Sequence, residues 1–340
     1  MSSQVVEHVT DVHCHPTDAP VISVEAMQSL QITICAMATR PSDQTRVRDL
    51  AIRYPSKVIP SFGYHPWFSH YISLLDSSVS KESHYRSLFL SNQSENQVLF
   101  NHLLQHLPDP IPLEQIISEL RNNLIAFPNA MLGEVGLDRV FRIPVDYFAS
   151  PRKLTPFTIP LKHQLAVIEA QLRLAVEMGR NVSFHSVKSQ QATITLLADM
   201  RKKYGERWDA INVDIHSCTM SSETWRAIEK AHPNVFMSVS TVINGRNRNL
   251  QSLIAACSPN RIMVESDYNN VEMTTPNTWE ILLLVANVKG WHIEQEWLQQ
   301  LPLNEWGAVR RLEANWIKFG RGVHVAKRQT ETPPTNRDIL

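Results

Sequence analysis

The sequence predicts an α/β protein built as a (β/α)8 TIM barrel, and three observations carry that prediction. Eight short β-branched or apolar runs are separated by longer segments of helical period. The alternation is sustained from residue 9 to residue 266, and histidines and carboxylates recur at the C-terminal ends of the runs. Alternating strand and helix implies parallel strands joined by crossovers, and eight such repeats close on themselves.

The predicted strands are, in order, VTDVH (9–13), ITICAMA (32–38), VIPSFG (58–63), MLGEV (131–135), NVSFH (181–185), INVDIH (211–216), VFMSVS (235–240) and RIMVES (261–266). The first leads into DVHCHP, where alternation of faces along a strand points His13 and His15 one way and Cys14 the other. His65 of GYHPW follows the third run, Glu134 ends the fourth, His185 the fifth and His216 the sixth, while Glu265 and Asp267 close the eighth. In a barrel these ends form one face, where active sites are built. Between the strands, DQTRVRDLAIRY, PLEQIISELRNNLIAF, LKHQLAVIEAQLRLAVEMG and SQQATITLLADMRKKYG read as helices. The third of these spaces Leu165, Ile168, Leu172 and Ala175 three and four apart and stops at Gly179.

A chain of 340 residues is long for one domain but ordinary for a barrel, so a single domain is expected over 1–325. The interval between GYHPW and GEVGLD exceeds a strand–helix–strand step, which predicts an inserted loop at 68–110 above the site. Residues 326–340 read as a flexible tail. Formal net charge is zero, which excludes a whole-molecule field for nucleic acid or anionic lipid; any phosphate must be held locally. Four cysteines without a CxxC pair exclude a disulfide framework. The first ten residues lack a leader pattern, and the longest apolar run, ILLLVA, is too short to span a bilayer, so a soluble protein of the cytoplasm or nucleus is expected.

Imidazoles and carboxylates gathered at one mouth are the donors of a divalent cation that acidifies water and polarises a substrate oxygen. His13, His15 and a carboxylate satisfy one ion; four histidines with Glu134 and Asp267 suffice for two. A bridging Glu134 suits a pair of ions about 3.5–4 Å apart, the spacing used for in-line displacement at phosphorus. Asp267 then serves as ligand and as general base toward the attacking water. Asp11 and Asp214 share strand parity with the histidines that follow them, and either fix a histidine tautomer or belong to the barrel's inner layer. Arg40, Lys188, Arg246 and Arg248 are candidates for a phosphate path.

DVHCH, GYHP, GEVGLD, the stretch ending in NVSFH, IHS and ESD occur in the order and rough spacing of the TatD family of metal-dependent hydrolases, and EANWIKFG, with Asn315, resembles that family's C-terminal helix. The resemblance implies a TIM barrel, metal-dependent deoxyribonuclease activity and two divalent ions (Mg²⁺, Mn²⁺ or Zn²⁺). It implies His13 and His15 at the first ion, Glu134 bridging, His185 and His216 at the second, Asp267 as ligand and base, and His65 and Lys188 as substrate contacts. For fungal members it further implies a protein partner. Three places depart from the family pattern: Val187 stands where members carry arginine, HSCTM lacks the usual glycine, and ESDYNN lacks the usual proline. These departures keep open two other readings, hydrolysis of a small phosphoester or amide-type bond, and a scaffold that retains the barrel without turnover.

Overall fold

A computed structural model of the chain describes residues 3–75, 79–90 and 96–330. All eight predicted strands are present: β1 (Thr10–Cys14), β2 (Thr33–Met37), β3 (Val58–Phe62), β4 (Met131–Asp138), β5 (Val182–Val187), β6 (Val213–Ile215), β7 (Val235–Val239) and β8 (Ile262–Val264). They pair in that order, every ladder parallel. β4 runs three residues past its predicted end, to Asp138. The seam between β8 and β1 is bridged rather than laddered. Asp267 N–H donates to His13 O at 3.0 Å, His15 N–H to Tyr268 O at 2.8 Å, and Ser266 N–H to the Asp11 carboxylate at 2.9 Å.

The crossovers are helical: α1 (Val24–Ser29), α2 (Pro41–Arg53), α3 (Lys81–Phe89), α4 (Gln97–His106), α5 (Leu113–Ala126), α6 (Leu161–Met178), α7 (Gln190–Tyr204), α8 (Ser222–Ala231), α9 (Leu250–Ala256), α10 (Val271–Lys289) and α11 (Ala308–Thr330). α2 starts two residues ahead of its sequence pattern because Pro41, whose fixed φ suits the first helical position, opens it. α6 buries Ile168, Leu172 and Ala175 against the barrel and ends on Gly179 at φ 62°, a left-handed stop that costs glycine no Cβ clash.

Inside the barrel the bottom and top layers differ in chemistry. At the bottom Cys35, Met37, Met131, Phe236 and Met263 pack with Phe319 of α11 into an apolar plug. Asn181 and Asn212, at the entries to β5 and β6, both donate to Phe319 O at 2.7 Å, and Asn315 donates to Pro259 O and Ile262 O. Asn315 therefore fastens α11 to the start of β8, at the end opposite the site. Above the plug the inward positions turn polar, with Asp11, Ser61, Ser183, Asp214, Ser238 and Glu265 all buried.

Residues 68–110 hold the end of a 3-10 turn (Pro66–Tyr71), α3, α4 and the short strand Ile72–Ser73, which pairs in parallel with Ile111–Pro112 just beyond the segment; residues 76–78 and 91–95 lie outside the described set. This segment builds its own small core, Tyr85, Phe100, Leu103 and Leu107 packing on Ile143, Phe157 and Ile159. Among the described residues of 68–110, only Phe68 lines the chamber above the barrel. At the other end, α11 continues through 326–330, and 331–340 lie outside the described residues. All four cysteines are free and buried, and no described helix is long and apolar enough to cross a membrane.

Candidate metal centre

The six predicted ligands meet at the C-terminal mouth, around the two oxygens of Glu134. Oε2 stands 3.2 Å from His15 Nε2 and 3.6 Å from His13 Nε2, and Asp267 Oδ1 faces the same two nitrogens at 3.3 and 3.7 Å. Oε1 stands 2.8 Å from both His185 Nδ1 and His216 Nε2. One buried carboxylate thus divides the donors into a His13–His15–Asp267 group and a His185–His216 group.

The donor spacing fits cations. His13 Nε2 and His15 Nε2 are 3.1 Å apart, and so are His185 Nδ1 and His216 Nε2. Two ligands about 2.0–2.1 Å from one ion at tetrahedral or octahedral angles stand about 3–3.4 Å apart. Histidine and carboxylate oxygen suit Mg²⁺, Mn²⁺ and Zn²⁺ alike, so the donor set does not select among them.

The ionisation pattern is that of a site built around positive charge. Burial would keep His15 neutral, but hydrogen bonds to Asp267 and Glu134 outweigh it and push its pKa well above the ordinary value; Glu134 and Glu265 do the same to His216. Burial would likewise raise Glu134, yet His65, His216 and His13 hold it well below the carboxylate range. Asp267 is held down by His15, His13 and His216 against its own burial. Without a cation the cluster collects protons, so cation uptake must release them.

Three of the four imidazoles meet a polar group on the far nitrogen, whereas His15 Nδ1 is buried without a hydrogen-bond partner among the described residues. His13 Nδ1 meets Ser183 Oγ at 2.7 Å. Glu265 approaches His216 Nδ1 at 3.5 Å and is itself gripped by the hydroxyls of Ser217 and Ser238. Asp138 approaches His185 Nε2 at 3.5 Å. Asp11 and Asp214 do not take this part. Asp11 accepts from the backbone of His13 and Ser266, and Asp214 shares the Ser238 hydroxyl with Glu265, so both belong to the inner layer. Burial raises their pKa values to about 7 and about 8.

His65 sits 3.1 Å from Glu134 Oε1, close enough to group with the ligands. Its Nδ1, however, accepts the Trp67 N–H at 3.1 Å, which places the ring proton on Nε2. A protonated Nε2 donates and does not ligate, and burial lowers the pKa to about 4, so the ring is a neutral donor at neutral pH. Asp267 does not cap α10, a task taken by Asn270; its φ of 48° holds it in the left-handed region, strain of the kind found at functional sites. Gly136, at φ 153°, explains the second glycine of GEVG. A Cβ there would lie 2.1 Å from His185 O, so only glycine lets β4 and β5 approach at this level.

Above these groups lies a chamber of about 490 Å³ whose walls include Trp67, Phe68, Tyr147, Val187, Val242, Ile243 and Tyr268. No lysine or arginine is among the described residues lining it. Lys188 is exposed on the rim beside it, with φ 50°. Arg40 is no phosphate contact: it is buried, 2.7 Å from Asp18 and 3.4 Å from Asp43.

The family model for TatD related DNase matches residues 10–297, which include every ligand above. The chain belongs to the TatD family. Among curated proteins it is 31% identical over 325 residues to the Cut9-interacting protein scn1 of Schizosaccharomyces pombe, covering 85% of this chain and 95% of that one. It is 28% identical to the uncharacterized deoxyribonuclease YMR262W of Saccharomyces cerevisiae, covering 92% of this chain and 98% of the relative. The solved structure of the Escherichia coli TatD homolog YJJV superposes with a TM-score of 0.57 at 17% identity, over 92% of this chain and 98% of that one, a likeness of fold. The chain is accordingly a deoxyribonuclease-like hydrolase of the TatD family, acting on ester bonds. Sequence reasoning missed Ser183, Trp67 and Asp138, although parity offered a signal for two: Ser183 lies two residues before His185, and Asp138 four after Glu134.

Proposed function

We propose that this chain hydrolyses phosphodiester bonds, with DNA as the favoured substrate, using two divalent ions shared across Glu134. The observation that carries the reading is the division of the Glu134 oxygens, one toward His13 and His15 and the other toward His185 and His216. When bound, such ions acidify a water and neutralise charge building on the phosphoryl oxygens. Asp267, ionised and open to the chamber, accepts the proton of the attacking water. His65, neutral and protonated at Nε2, donates to a non-bridging oxygen. The apolar walls exclude bulk water around the reacting group.

Charge on the rim supports a polyanionic substrate. The loops leaving β4, β5 and β7 carry Arg139, Arg142, Arg152, Lys188, Arg246 and Arg248, all exposed, against a net charge of zero for the whole chain. Cations outside a chamber that has no lysine or arginine among its described lining residues suit a strand that lies across the mouth while one phosphodiester enters it. A protein partner belongs to the same proposal and is supported by the relative named as Cut9-interacting, and action in the cytoplasm or nucleus is proposed with it.

The test is metal-loaded full-length chain assayed on a single-stranded oligonucleotide and on bis(p-nitrophenyl) phosphate. Cleavage of both, abolished by chelation and restored by Mn²⁺ or Zn²⁺, is expected. A chain that binds two ions yet cleaves neither diester, while hydrolysing a phosphomonoester or an amide, overturns the substrate assignment.

A further inference from the structure

Asp138 stands where β4 ends, and all its neighbours are hydrogen-bond donors. Oδ1 accepts from Val140 N–H at 2.7 Å and Phe141 N–H at 3.0 Å; Oδ2 accepts from Trp67 Nε1–H at 2.6 Å and faces His185 Nε2 at 3.5 Å. Its backbone is locked as well, Gln164 pairing with both Asp138 N–H and Asp138 O at 2.8 Å. The side chain is 4% exposed. His185 Nε2 is buried and finds no hydrogen-bond partner of ordinary length, so once an ion between Nδ1 and Glu134 takes the Nδ1 lone pair, the carboxylate behind the ring is the group that holds the remaining proton on Nε2. At 3.5 Å the contact is electrostatic rather than a full hydrogen bond, and a fixed negative charge there favours the tautomer protonated on Nε2. That tautomer leaves the Nδ1 lone pair directed at Glu134 Oε1, the side on which the second ion is to sit.

Trp67 connects this arrangement to the substrate chamber. Its indole lines the chamber wall, stacks on Phe141 at 4.9 Å between ring centres, and donates to the same Asp138 oxygen that faces His185.

We propose that Asp138 is a positioning residue for the second ion: braced by Trp67, it holds His185 in the Nε2-protonated tautomer that offers Nδ1 as a ligand. The inference rests on the two-ion reading and goes beyond it, tying an aromatic wall of the chamber to the metal position. An asparagine cannot replace this carboxylate, because an amide has one acceptor oxygen and every partner donates. Whichever way it turns, an N–H meets either the backbone turn or the Trp67–His185 pair.

The experiment is titration of metal-free full-length chain with Mn²⁺, followed by calorimetry and by electron paramagnetic resonance, which separates a spin-coupled pair from a lone ion. For D138N the first site is expected within about 3-fold of wild type and the second weakened about 10–100-fold, with the coupled signal lost at two equivalents. W67F should weaken the second site in the same direction and less. The intact first site shows that the variant has folded, and separate ¹⁵N spectra of the chain loaded with diamagnetic Zn²⁺ should show His185 protonated on Nε2 and bound through Nδ1 in wild type, and the loss of that form in D138N. D138N that retains both affinities and the coupled signal overturns the proposal and leaves two-ion binding standing; wild type that takes up one ion overturns both.

Discussion

Glu134→Gln keeps the volume of the side chain while removing one negative charge and one of its two acceptor oxygens. In the native arrangement Oε2 serves His13 and His15 at 3.6 and 3.2 Å, and Oε1 serves His185 and His216 at 2.8 Å each. A glutamine turns its oxygen toward one group and presents N–H to the other, so one metal position loses its bridging ligand. A unit charge acting across about 4 Å at an effective dielectric near 20 contributes about 4 kcal/mol. At 1.36 kcal/mol per decade this is roughly a 10³-fold effect on ion affinity or on rate. Elemental analysis after gel filtration should fall from two ions per chain to one, and kcat/KM on bis(p-nitrophenyl) phosphate should fall by ~10³, with the circular dichroism spectrum unchanged. A variant that keeps two ions and loses less than tenfold in kcat/KM would refute the bridging role.

Asp267→Asn should lower kcat by about 10²–10⁴, the range for losing a positioned base; a kcat within tenfold of wild type would remove Asp267 from proton transfer. Gly136→Ala puts a methyl group 2.1 Å from His185 O, so β4 and β5 must part; the second ion should be lost and the melting temperature should drop, both read by metal-dependent thermal unfolding. Acid should loosen the inserted segment before the barrel. Burial lowers the His70 pKa from 6.5 to about 3, and the nearby His84 and His163 are lowered as well. The unfolded segment takes up a proton near 6.5 that the folded one refuses until about 3, so this stability is complete above 6.5 and fades as pH falls. For His70 alone the loss between pH 7 and pH 5 is about 2 kcal/mol. Hydrogen exchange in 81–90 and 96–107, corrected for intrinsic rates, should speed ~20–30-fold over that range, and His70→Leu should abolish its share.

How much was legible follows from what kind of interaction each feature needs. The eight strands and the convergence of His13, His15, Glu134, His185, His216 and Asp267 were readable because alternation and strand ends are local properties of sequence that a closed barrel converts into one face. The choice between the two roles left open for Asp11, fixing a histidine tautomer or joining the inner layer, was not, since parity places a carboxylate inside the barrel but does not say whether it meets an imidazole or the backbone of the neighbouring strand, as it does at Ser266. Arg40 misled for a related reason. A cation three residues past β2 looks free for phosphate until the fold sets Asp18 and Asp43 beside it. His65 and His185 show the deeper limit. Both rings lie within reach of Glu134 Oε1, and composition cannot separate them. What separates them is the partner of the other nitrogen, a backbone N–H donating to His65 and a carboxylate facing His185. On the two-ion reading proposed above, that one difference suits the first ring to donate a hydrogen bond and the second to ligate, so the proposed roles turn on the groups behind the histidines rather than on the histidines themselves.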